Sequence, residues 1–209
     1  MSDVIKFKLI IISIILILII SNIGNVFSEN QNVILVKSSN QVYFNVNDIM
    51  DASSRVKIYI ETNHRLPNYV QISGKQVNMP DFLRIIAICT SEINNNQKYP
   101  ISLKNIRSPS SPSENLKVGK IYRSEYFDMA QRIKVYSDSN NIAPNYVSSS
   151  LGNIRFENAV YIYCKILNFY KVNNVFPNYV SVNKWNVDPV DPDLVMFLKP
   201  SVIVNLIIM

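Results

Sequence analysis

The sequence predicts a mainly α-helical protein with short β-hairpins, made by tandem duplication of a helix–turn–hairpin–helix module. Three observations carry that prediction: a tetrapeptide that returns at fixed spacing, apolar residues at helical period around it, and a composition able to build a core. The 209 residues are 48% hydrophobic and 17% charged, which argues against wholesale disorder and allows one ordinary domain or two small ones.

Pro67-Asn68-Tyr69-Val70 returns as Pro144-Asn145-Tyr146-Val147 and again as Pro177-Asn178-Tyr179-Val180. The first two copies are 77 residues apart and the last two 33 apart; Pro100, in Tyr99-Pro100-Ile101-Ser102, marks a degenerate copy 33 residues after Pro67. The 77-residue shift also pairs Val56 with Ile133, Lys57 with Lys134, Tyr59 with Tyr136, Asn63 with Asn140, Val77 with Ile154 and Met79 with Phe156. A 33-residue step is nested inside a 77-residue duplication, as in repeat architectures. The longer middle step of 44 residues is accounted for by Ser108-Pro109-Ser110-Ser111-Pro112-Ser113.

The elements follow in chain order. Lys6 and Lys8 precede an apolar run from Leu9 to Ile20, broken by Ser21, Asn22, Gly24 and Asn25. A basic start, a short apolar stretch and a small residue at a cut site read as a secretory signal over residues 1–28, cleaved after Ser28; an uncleaved anchor is the alternative. The remainder is expected to face outward, beginning with an N-terminal extension at 29–45. A first module spans 46–107. In it Asn47 caps a helix with Ile49, Ala52, Val56, Tyr59 and Ile60 at helical spacing, closed by Asn63-His64-Arg65. Tyr69, Val70, Ile72, Ser73-Gly74 and Val77 read as a hairpin around a glycine turn. Pro80 suits the first position of a second helix, whose stripe is Phe82, Leu83, Ile86, Ala87, Thr90 and Ile93. A Ser/Pro linker covers 108–121, and a second module 122–185 repeats the plan. There Ser124 opens one helix, Phe156 to Tyr170 forms the longest, and Ser148 to Gly152 replaces the clearer hairpin. Residues 186–209 read as a linker and a shortened apolar tail, expected from a truncated gene product or, alternatively, a short anchor.

Charge and rare residues narrow the function. The net charge of +6 is spread out, without the clustered basic face that nucleic acid requires. Such a balance suits a weakly anionic polymer or a membrane surface, and the membrane enters only through the N-terminal segment if that is uncleaved. Cys89 and Cys164 lie in apolar helical stripes, where a free cysteine acts as a small hydrophobe. His64, the only histidine, sits in a polar helix-ending turn and reads as a surface residue. A cysteine nucleophile needs an activating base, a metal needs clustered ligands, and a phosphate loop needs glycines, of which there are four. No catalytic residue, metal site or cofactor is expected.

The run Tyr59-Ile60-Glu61-Thr62-Asn63-His64-Arg65-Leu66-Pro67-Asn68-Tyr69-Val70, followed by Gly74, Met79-Pro80 and Phe82-Leu83, resembles the pseudomurein-binding repeat family. So does Arg155-Phe156-Glu157, Val160-Tyr161, Lys165 to Tyr170 and Pro177 to Val182. The resemblance covers roughly residues 42 to 185. It implies a surface or secreted protein of methanogenic archaea, or of their viruses, attached to pseudomurein, a wall polymer of amino sugars cross-linked by peptides. Lytic members carry a cysteine-peptidase domain after their repeats, whereas 24 residues follow Trp185 here. The alternatives to wall binding are a surface protein–protein interaction repeat, or the binding half of a wall-lytic cysteine peptidase whose catalytic domain is missing.

Candidate ligand-binding residues are Asn68, Tyr69, Asn145, Tyr146, Asn178, Tyr179 and Trp185. Tyrosine offers a flat apolar face and a hydroxyl, and asparagine donates and accepts at once. The competing reading is structural: proline fixes the turn, asparagine bonds the local backbone, and tyrosine plugs the gap between helix and hairpin. Under either reading asparagine is expected to be the more exposed.

Overall fold

A computed structural model describes residues 41–185. The expected N-terminal signal, most of the expected extension at 29–45 and the expected tail at 186–209 lie outside the described residues. The chain divides after Val42 into two units, and every element below belongs to the second, which begins at Tyr43.

The elements run β1 (Tyr43–Phe44), α1 (Val46–Asn63), β2 (Tyr69–Ile72), β3 (Lys75–Asn78), α2 (Met79–Asn94), β4 (Ile101–Ser102), β5 (Gly119–Tyr122), α3 (Arg123–Asn140), β6 (Tyr146–Ser149), β7 (Gly152–Arg155), α4 (Phe156–Asn173) and β8 (Tyr179–Val182). This is mainly α with short two-stranded ladders, as the periodicity predicted. Among the described residues the order also shows a smaller unit, β–α–β, used four times. Repeats 1 and 2 join through the β2–β3 hairpin and close by pairing β1 with β4; repeats 3 and 4 do the same through β6–β7 and β5–β8. All four ladders are antiparallel.

Several boundaries differ from expectation. The N-cap of α1 is Asn45 and not Asn47, and α3 starts at Arg123, one residue before Ser124. Helix α4 is 18 residues long, no longer than α1 or α3. The end of the expected Ser/Pro linker is strand β5, fixed by its partner β8 some sixty residues later, which no local pattern reveals. The second hairpin is as regular as the first. Ser73 and Gly74, both at positive φ, turn the first one; in the second, Gly152 at φ +114° lets a neighbouring segment approach. A Cβ there would stand 2.7 Å from the Asn115 carbonyl oxygen. Lys117 donates to the Leu151 carbonyl at 2.8 Å, so this segment lies along the hairpin.

One contact recurs in every repeat. The third helical residue reaches the backbone or side chain 25 residues downstream, just past the second strand. Asp48 accepts from the Ser73 hydroxyl at 2.8 Å, Asp81 from the Ile106 N–H at 3.0 Å, Glu125 from the Ser150 hydroxyl at 2.9 Å, and Asn158 donates to the Asn183 carbonyl at 2.8 Å. Asp81 and Asn158 are buried, and Asp81 also takes the Lys104 N–H at 3.2 Å. Burial raises the Asp81 pKa, against the opposing pull of those backbone N–H groups.

The helices share one core. α1 packs on α4, α3 on α2, and α2 on α4, leaving α2 and α4 in the middle. That explains their composition: Phe82, Leu83, Ile85, Ile86 and Cys89 cover α2 nearly all round, as a fully surrounded helix requires. The two outer contacts are related by the 77-residue shift applied in opposite senses. Tyr161 donates to Glu61 at 2.9 Å across α4 and α1, and Arg84 donates to Asp138 at 2.6 Å across α2 and α3. Each acid also takes a lysine one turn earlier on its own helix, Lys57 at 2.7 Å and Lys134 at 3.0 Å. The modules therefore meet about an approximate two-fold relation. Burial works to raise the Asp138 pKa, but hydrogen bonds from Arg84, Lys134 and Lys104 outweigh it and hold the carboxyl well below the usual range.

Two outcomes are expected in urea unfolding. Asp81→Ala and Asn158→Ala, which orphan buried groups, should each cost about 1–3 kcal/mol, and Asp48→Ala less than about 1 kcal/mol because its partner can turn to water. Asp138→Asn should cost about 1–3 kcal/mol at neutral pH. Because the folded-state pKa is depressed, that stabilisation exists above the unfolded value of about 4 and is lost as pH falls through the folded one, so mutant and wild type should converge in acid.

Candidate functional site

The Pro-Asn-Tyr-Val segments are built by the ends of their helices. Three residues before Pro67, Pro144 and Pro177, the chain turns through a left-handed residue: His64, Asn141 and Asn174, with φ of 53°, 52° and 53°. Each donates its N–H to the last helical turn, at Ile60, Ser137 and Tyr170. The preceding Asn63, Asn140 and Asn173 donate side-chain amides to the carbonyls of Tyr59, Tyr136 and Phe169 at 2.9, 2.8 and 2.9 Å. His64 thus occupies the place that asparagine, better tolerated in this conformation, takes elsewhere. It is exposed and sits at the same kind of cap as its asparagine equivalents.

The second strand then alternates. Val70, Val147 and Val180 point into the core at 5%, 4% and 6% exposure, while Tyr69, Tyr146 and Tyr179 stand out at 49%, 45% and 42%. Tyrosine does not plug the gap between helix and hairpin; valine fills the core and the ring faces solvent. Asn68 and Asn178 are exposed as well, but Asn145 is half-buried, accepting the Ser111 N–H on its side-chain oxygen at 2.9 Å. The expectation of a more exposed asparagine therefore fails in repeat 3, where the Ser/Pro segment folds over it.

A groove of about 390 Å³ runs between α3 and β6, walled by Arg132, Tyr136, Pro144, Asn145, Tyr146 and Ser148. It continues along α3 into a depression of about 340 Å³ that shares Arg132 and Tyr136. The guanidinium of Arg132 holds helix to strand, donating to the Ser148 carbonyl at 2.9 Å and to Asp128 at 2.8 Å. Arg55 makes the same clip to the Gln71 carbonyl at 2.6 Å, and Lys165 to the Ser181 carbonyl at 2.6 Å, each spanning 16 residues. Burial pushes the Lys165 ammonium down to about 8, with Glu61 opposing.

Three aromatic residues, Tyr59, Tyr136 and Phe169, occupy the equivalent helix position in repeats 1, 3 and 4. Those aromatics and the clipping cations belong beside the motif and were not among the expected site residues. The 77- and 33-residue shifts, applied to the helix as well as the tetrapeptide, would have found them. On the β5–β8 ladder, Tyr122 stands opposite Tyr179 with ring centroids 6.3 Å apart, and Lys120 lies 4.2 Å over the Tyr179 ring. Trp185 is half-buried and does not line the α3 groove; its backbone N–H donates to Glu114 at 2.8 Å, the same carboxylate that Asn158 holds.

The cysteines are free and buried, and burial pushes both thiols far above their ordinary pKa. Among the described residues no group of three or more His, Cys, Asp and Glu could hold a metal ion. None of the described helices is long and apolar enough to cross a membrane.

Residues 41–72 match the family model of the pseudomurein-binding repeat. The matched stretch coincides with one β–α–β unit, from the residues leading into β1 to the end of β2. A comparison with curated proteins found no match.

The structural and recognition roles of the motif separate by mutation. Val147→Ala should lower stability by about 1–3 kcal/mol through the cavity it leaves, whereas Tyr146→Ala should stay within about 0.5 kcal/mol in thermal or urea unfolding.

Proposed function

We propose that this chain is exported and attaches without catalysis to the pseudomurein of methanogenic archaea, held by several weak contacts at once. One observation carries the reading: the segment that matches a pseudomurein-binding repeat is one β–α–β unit, and that unit is used four times. A pseudomurein-binding repeat is a wall-binding module, so association with the cell wall rests on the match itself. The finer statements rest on what surrounds it. Exposed tyrosines recur at the equivalent position of repeats 1, 3 and 4, and the deeply buried thiols leave neither cysteine a ready nucleophile. Linked sites on one polymer raise the local concentration of each other, so modest individual affinities suffice.

Co-sedimentation of the full chain with purified wall sacculi tests this. Retention is expected to persist, falling less than about tenfold between low and high salt, because the groove walls are mostly rings, amide and hydroxyl groups and Arg132 is paired with Asp128. Protein that stays in the supernatant at all salt concentrations would rule wall binding out. Retention lost after proteolytic removal of wall proteins, with the polymer intact, would point instead to a protein partner.

A further inference from the structure

The geometry points to three ligand subsites, one each in repeats 1, 3 and 4 and none in repeat 2, each accepting an N-acylated sugar ring of a glycan strand. This assignment takes its biological setting from the wall-binding reading, but it stands on the groove.

Its first support is the α3 groove itself, whose volume of about 390 Å³ falls within the roughly 300–1,000 Å³ of small-ligand clefts. Its continuation along α3 makes it elongated, so a polymer strand can lie in it. Its second support is repetition of every wall. The cation clip is present as Arg55, Arg132 and Lys165, each donating to the carbonyl two residues beyond the motif tyrosine. The helix aromatic is Tyr59, Tyr136 or Phe169, and the strand side offers Asn-Tyr at 68–69, 145–146 and 178–179. Repeat 2 breaks each of these. Ile88 replaces the cation and Glu92 the aromatic, and Ile101-Ser102 follow Pro100. Ile88 and Ile101 are buried, and β4 has only two residues.

The chemistry of the walls selects the ligand. The groove cations hold helix to strand: Arg132 is ion-paired with Asp128 and bonded to the Ser148 carbonyl, and the Lys165 ammonium is bonded to the Ser181 carbonyl. In repeat 3 the other walls are the phenol faces of Tyr136 and Tyr146 and the Asn145 amide; repeat 4 offers the Phe169 ring beside Tyr179, whose face Lys120 shares. Because the Asn145 oxygen accepts from Ser111, its NH2 is the group left to donate. A ring with an apolar C–H face stacks on tyrosine, and an acyl carbonyl accepts from that NH2. A peptide stem has the carbonyls but no such flat C–H face.

The test is a 15N–1H NMR titration of the full chain with tri-N-acetylchitotriose, with the fully deacetylated trimer as control. Shift changes are expected in three patches, around residues 68–71, 145–148 and 178–181, with repeat 2 at 100–103 unmoved and the control at least about tenfold weaker. Tyr69→Ala, Tyr146→Ala and Tyr179→Ala should each abolish one patch and leave the other two, with unchanged circular dichroism. Equal response to both trimers, a fourth patch in repeat 2, or no response to about 20 mM would overturn the assignment. Sacculi retention measured on the same samples keeps the two readings apart. Three patches without retention would defeat the wall reading and leave the subsites standing. Retention without any trimer response would defeat the sugar assignment and favour peptide stems.

Discussion

A two-residue strand cannot hold itself, and a four-residue hairpin is barely stable alone; each needs an anchor in something longer. Here the anchor is the third residue of every helix. It faces back past the helix N-terminus, where an acid or amide is electrostatically welcome, and it captures the chain 25 residues on, as that chain leaves its second strand. One side chain therefore ties the start of a helix to the end of the unit that helix belongs to. In repeats 2 and 4 the contact is buried, which makes Asp81 and Asn158 costly to replace and forces the following loop into one path.

From that tie the larger arrangement follows. Each pair of repeats closes on itself through two ladders, so each module has one apolar helix face left to cover. The even helices, which carry most of the apolar residues, meet in the middle, and the odd helices flank them. The polar contacts Glu61–Tyr161 and Asp138–Arg84 occupy equivalent places on opposite sides. Duplication produced two copies of the same sticky surface, and a two-fold meeting lets each satisfy the other. The pairs are not identical: an ion-paired arginine on one side, a phenol on the other. The interface thus tolerates divergence as long as a donor meets the acid.

The same arrangement leaves the motif tyrosines outside. Strand alternation sends valine inward and tyrosine outward, so once valine is required for the core the ring has no other place to go. The helix cation then fixes the distance between helix and strand, which turns an exposed ring into one wall of a groove. Repeat 2 shows the converse. Having lost the cation and the aromatic, it buries its isoleucines and serves the core alone.

The sequence by itself determined the duplication, the 33-residue step, the helices to within about three residues, the burial of both cysteines and the motif that marks each unit. These are legible because proline, asparagine and apolar period act locally. It did not determine strand β5, whose only reason to be extended is a partner some sixty residues later. Nor did it assign which motif residue fills the core, since Tyr and Val are both apolar enough until a strand face is chosen. Tertiary structure alone decided that two modules share one core, that helix residues such as Tyr136 and Arg132 stand beside Asn145 and Tyr146, and that the Ser/Pro segment folds over Asn145. Each of these is a contact between distant stretches, and only packing against a common core brings such stretches together.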